Sequence, residues 1–117
     1  MKIYHNPRCS KSRATLALLE QSGQDFEIVE YLLHPPTEIQ LQQIIQWLGL
    51  PARQLVRTGE KRFVELGIDL SALTEDETIA LLADNPILLQ RPIVVSQQRV
   101  IIGRPPENVN ELFLPSP

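Results

Sequence analysis

The sequence predicts an α/β fold, and three observations carry that expectation. A strand-helix-strand pattern opens the chain, helices with apolar faces fill its middle, and a β-hairpin followed by a short helix closes it. Residues 1–5, MKIYH, alternate apolar and polar side chains as a short strand does, until Asn6 and Pro7 interrupt it. From Ser10 to Ser22, SKSRATLALLEQS joins good helix formers to an apolar group at Leu16, Leu18 and Leu19, with Gly23 as its stop. FEIVEYL, 26–32, alternates again and is rich in β-formers, so it reads as a second strand. Strand, helix and strand in that order make a parallel pair.

The middle of the chain is helical. HPPTEIQLQQIIQWLGLP, 34–51, has Thr37 and Gln40 at the spacing of a capping box, an apolar face of Leu41, Ile44, Ile45 and Leu48, and then Gly49 and Pro51 as stops. Residues 55–69 read as a loop around Thr58 and Gly59 and a short helix ending near Gly67. Thr74 and Glu77 open another helix, TEDETIALLADN, whose early acidic residues suit the positive end of the helix dipole and whose end falls at Asn85. Two β-branched runs, at 93–95 and 99–102, flank a polar turn of Ser96 to Gln98 and predict a hairpin. Pro105 and Pro106 then introduce ENVNELFL, a short final helix, because proline is tolerated in the first helical turn.

Composition narrows the function. With 117 residues, 43% of them hydrophobic and 21% charged, the chain suits one ordinary globular domain over 1–117, with no visible repeat or linker. A formal net charge of -3 supplies no overall attraction to nucleic acid or an anionic membrane, so any anion site has to be built locally. No stretch is long and apolar enough to span a membrane and no signal peptide is evident, which makes a cytoplasmic location the expectation. One cysteine, Cys9, excludes an internal disulfide, and with only His5 and His34 beside it a zinc site is not expected.

Cys9 sits where the first helix begins. There it meets unpaired backbone N–H groups and the positive end of the dipole, both of which favour thiolate over thiol and can also hold an oxyanion. His5, Arg8, Lys11 and Arg13 all lie within four residues of it, and the Ser12 hydroxyl is in reach of the sulfur. A lone cysteine is often just a small core residue, but Asn, Pro and Arg before it and Ser, Lys, Ser and Arg after it are not core neighbours. His5 is read equally as a structural residue or a charge partner. Arg57, Arg91 and Arg104, each next to a turn or strand end, are either solvated surface charges or, taken as a set, a multidentate anion clamp.

Four segments in order, HNPRCSKSRATLALL, LVRTGE, NPILLQRPIVV and GRPPENV, resemble the glutaredoxin-type arsenate reductase family, the ArsC family. The resemblance covers nearly the whole chain. It implies a thioredoxin-like fold: a mixed four-stranded sheet flanked by helices, with a helical insertion between strands 2 and 3, from about residue 37 to residue 84. It also implies that Cys9 attacks arsenate, that His5 helps keep it ionised, and that the Ser12 hydroxyl bonds near the sulfur. Arg57, Arg91 and Arg104 would bind the oxyanion, and Pro92 would be a cis proline beside the site. No bound cofactor or metal is implied. Glutathione is the expected co-substrate and glutaredoxin the expected partner, because a single cysteine has to hand its adduct to an outside thiol.

Two other functions remain open. Well-studied reductases often carry Gly-Thr after the cysteine, where this chain has Ser10-Lys11, and that difference motivates a glutathione-dependent thiol-disulfide reductase with another substrate. An RNA polymerase-binding regulator of the Spx type is weakened by Ser12 in the position where a C-x-x-C switch needs its second cysteine. A cysteine phosphatase is set aside, since its loop requires an arginine six residues after the cysteine and Thr15 stands there.

Overall fold

The N-terminal strand is β1, Lys2–His5, in a computed structural model that describes residues 1–114. It is followed by α1, Ser10–Ser22, and β2, Glu27–Glu30. The hairpin is β3, Ile93–Ser96, and β4, Arg99–Ile102. The sheet runs β2-β1-β3-β4, with β1 parallel to β2 and antiparallel to β3, so it is mixed and four-stranded as expected. Contacts divide the chain into two units: residues 1–34 with the segment from 91 onward, and residues 35–90. The second is the helical insertion, a little wider than the sequence suggested.

Alternation in the strands sends Ile3, Val94 and Ile101 to the face where α1 lies. Leu19 from α1 completes this core together with Val109 and Leu112, while Met1, Leu16, Leu18, Phe26 and Phe113 pack around it. The final helix is a 3₁₀ segment, Pro106–Phe113, with proline in its first turn. At the other edge β2 is shorter than the 26–32 reading. It pairs only as far as His5↔Glu30, because β1 turns away at Asn6; the chain then bends and Tyr31 becomes fully buried. Alternation marks a strand but not where its partner ends.

In the insertion, the expected capping box at Thr37 forms, and the helix start expected at Thr74 is a capping box as well. Thr37 and Gln40 start α2, Glu38–Leu48, and Thr74 and Glu77 start α4, Glu75–Asp84, each hydroxyl accepting from the backbone N–H three residues on at 3.1 Å. Between them lie a 3₁₀ turn at Ala52–Leu55 and the short α3, Lys61–Leu66. Leu41, Ile44, Ile45, Leu55, Ile79 and Leu82 are buried. The Glu75 carboxylate accepts from the Ala52 backbone N–H at 3.0 Å, a long-range tie that no sequence pattern announced.

One contact decides how closely α1 approaches the hairpin. Gly103, just after β4, donates its N–H to the Pro92 carbonyl at 2.9 Å. A Cβ there would stand 2.5 Å from Thr15 Oγ1 and 2.7 Å from Pro92 Cγ, so only hydrogen fits between the second turn of α1 and the proline. Gly103→Ala is expected to lower stability by about 1–3 kcal/mol through this overpacking, measured by urea unfolding with the midpoint falling at unchanged slope.

Candidate active site

The site begins with the turn out of β1. Asn6 Oδ1 accepts from the Arg8 N–H at 3.0 Å, and the Asn6 carbonyl accepts from the Cys9 N–H at 3.0 Å. This turn delivers Cys9 to the N-cap of α1 in an extended conformation, φ -95° and ψ 122°. The Cys9 carbonyl takes the first helical bond, from Arg13 N–H at 3.0 Å. The N–H groups of Lys11 and Ser12 are left without helical partners, and they face the sulfur.

The Cys9 thiol is partly exposed and ionises below the ordinary cysteine value. Burial is the largest single influence and opposes ionisation; it is outweighed by the Ser12 N–H, a hydrogen bond and charge from the Arg91 guanidinium, and the Lys11 N–H. Arg91 comes from the far end of the chain, on the Arg91–Pro92 bond, which is cis. Arg104–Pro105 is cis as well, and Arg104 Nη1 donates to the Arg91 carbonyl at 3.4 Å, a long bond from an exposed side chain.

His5 and Ser12 are placed differently from the expectation. The Ser12 hydroxyl is fully buried and turned away from the sulfur: it lies 2.6 Å from His5 Nδ1 and accepts from the Asn6 N–H at 3.0 Å. It is therefore the backbone N–H of Ser12, not the side chain, that meets Cys9, because a side chain in the first helical turn points back toward the strand end. His5 titrates below an ordinary histidine. Burial lowers it most, the Glu30 carboxylate opposes this, and the Arg13 charge adds to the lowering. A neutral imidazole gives Cys9 no positive charge; its connection to the sulfur runs through the residue whose N–H it helps fix. Arg13 also turns away, donating to the Pro7 carbonyl at 2.9 Å.

Arg57 belongs to the other unit, where its Nε pairs with Glu60 Oε1 at 3.1 Å. Two residues the sequence did not single out stand at the site. The side chains of Tyr31 and Asn6 lie against each other, and the Tyr31 ring places its hydroxyl beside Arg91. The clue, the parallel register that sets Tyr31 one step beyond His5↔Glu30, exists only once the sheet has formed. A cavity of about 290 Å³ adjoins the same turn, lined by His5, Asn6, Pro7, Arg8, Glu30 and the leucines 32 and 33. Among the described residues no group of His, Cys, Asp and Glu side chains is arranged to hold a metal, and no helix is long and apolar enough to cross a membrane.

A mixed four-stranded sheet with one ionisable cysteine at the start of α1, facing an arginine on a cis-proline loop, defines a thioredoxin-like protein built around a single thiol. The chain belongs to the ArsC family, whose profile matches residues 4–112. It is 47% identical to YfgD of Escherichia coli over 113 residues, covering 96% of this chain and 95% of that one. It is 46% identical to the arsenate reductase of Neisseria meningitidis serogroup A, with 97% of each chain covered. The solved arsenate reductase of Vibrio cholerae superposes with a TM-score of 0.89 at 44% identity, over 95% of this chain and 97% of that one.

The lowered thiol predicts its own pH profile. Alkylation of Cys9 by iodoacetamide should reach half its maximal rate below the pH of a free cysteine, about 8.5, and Arg91→Met should move that midpoint upward, since it removes a cation and a donor that the thiolate uses. The same shift links to folding. With the folded pKa below the unfolded one, Cys9 ionisation adds stability that is complete above the unfolded value and disappears as pH falls through the folded value.

Proposed function

We propose that the protein reduces arsenate to arsenite with glutathione and glutaredoxin as the electron donors. The observation that carries this reading is the Cys9 thiolate held between the Ser12 and Lys11 N–H groups and the Arg91 guanidinium, an arrangement suited equally to a thiolate and to an oxyanion bound beside it. Membership of the ArsC family and the arsenate reductases among its relatives support the choice of substrate.

Cys9 sulfur attacks arsenic, an S–As bond forms, and one As–O bond breaks with its oxygen leaving as water after protonation. Arsenic is still As(V) in this adduct. Arg91 and the helix N–H groups neutralise the anion as it approaches the thiolate, with Arg104 as a further donor. A glutathione thiolate then attacks the Cys9 sulfur: an S–S bond forms, the S–As bond breaks, and its electron pair goes to arsenic, which leaves as arsenite. Glutaredoxin exchanges its thiol with the mixed disulfide and restores Cys9. The cavity along residues 5–8 favours this use of an outside thiol, since Arg8 and Glu30 offer opposite charges to the carboxylates and amine of a small peptide.

The protein with glutathione and glutaredoxin should form arsenite from arsenate, and Cys9→Ser should abolish it while binding of the oxyanion persists. Absence of turnover with wild type, combined with exchange activity on glutathionylated peptides, would replace this reading with a thiol-disulfide reductase acting on another substrate.

A further inference from the structure

Tyr31 is a titratable group that the steps above do not use. Its side chain is fully buried, and its hydroxyl makes no hydrogen bond of good geometry within the protein. A buried phenol without a partner carries a desolvation cost of about 1–3 kcal/mol, so its neighbours matter. Those neighbours are the Arg91 guanidinium and the Asn6 side chain. A guanidinium has donors and no acceptor, so it can only give a proton to the phenol oxygen, never receive one. Asn6 turns its carbonyl oxygen to the Arg8 N–H at 3.0 Å and acts on the phenol as a donor, lowering its pKa as Arg91 does. The Tyr31 O–H is therefore a buried donor in need of an acceptor, beside Arg91 and within electrostatic reach of Cys9.

We propose that Tyr31 is a substrate-binding residue of this site, whose hydroxyl donates to an oxygen of the oxyanion held by Arg91 next to Cys9. The proposal rests on the oxyanion reading above. It gives the site a neutral donor among cationic ones, directed at an oxygen that a thiol or disulfide substrate lacks. Burial, the largest influence on the phenol, together with the nearby Cys9 charge, raises its pKa despite Arg91 and Asn6, which keeps the proton in place across the working range.

The test is protection of Cys9 from iodoacetamide by arsenate, in wild type and Tyr31→Phe, which keeps the ring and removes only the hydroxyl. Tyr31→Phe should need roughly tenfold more arsenate for the same protection, the scale of one hydrogen bond to a charged group, while the pH midpoint of alkylation without arsenate stays unchanged. Equal protection in the two proteins would overturn the role of Tyr31 and leave the arsenate reading standing. No protection of wild type would overturn both. A midpoint that moves together with the loss of protection would show Tyr31 acting through the position of Arg91, and would also overturn the proposal. Should Tyr31→Phe fail to fold, wild type labelled with fluorotyrosine serves instead, since Tyr4 and Tyr31 are its only tyrosines. Arsenate should shift the Tyr31 fluorine resonance and leave that of Tyr4 in place; an unmoved Tyr31 resonance would overturn the donor role.

Discussion

The contact between Gly103, Thr15 and Pro92 is the constraint on which the site depends. A thiolate at a helix start is stabilised by the nearest backbone N–H groups, and in this protein the guanidinium of Arg91, from a segment some eighty residues away, adds a hydrogen bond and a charge against the cost of burial. The proline that follows Arg91 sits close to the second turn of α1, across Gly103 from Thr15. A side chain at Gly103 would occupy the space between them. Packing and electrostatics are thus one problem here: the tightness of a helix-strand contact sets the distance between a charge and its partner.

A second set of bonds holds the near side. Asn6, at the end of β1, organises the turn through its side chain and its carbonyl, while its N–H is tied to the Ser12 hydroxyl, which also meets His5. The strand end and the helix start are therefore clamped by a small buried polar network of the Ser12 hydroxyl, the His5 imidazole and the Asn6 amide and backbone. The neutral imidazole is favoured here, because burial and the Arg13 charge outweigh the attraction of the Glu30 carboxylate for an imidazolium. The thiolate owes its charge balance to Arg91 and to backbone dipoles, and its geometry to Asn6, Ser12 and His5.

The insertion has its own logic. Its two capping boxes and its buried leucines and isoleucines come from local patterns, and Arg57 is held by Glu60 three residues later. Arg91 and Arg104 differ from it in origin: both precede cis prolines at the ends of the hairpin, and the side chain of one bonds the backbone of the other. Three arginines that look alike in the sequence thus have three different environments, a partly buried ion pair, a buried guanidinium at the sulfur, and an exposed side chain crossing a loop.

The sequence by itself determined the order of elements, the helix starts at Thr37 and Thr74, the hairpin, and the position of Cys9 at the head of α1, because periodicity, caps and turns act over a few residues. It also marked Arg91 as a candidate. The tertiary structure alone decided that β2 stops at Glu30, that Ser12 reaches the sulfur by its N–H rather than its hydroxyl, and that Tyr31 lies at Arg91. Those outcomes depend on the register of a parallel strand pair and on the approach of α1 to a distant proline. Such distances are set by the folded core, and no local pattern in the chain encodes them.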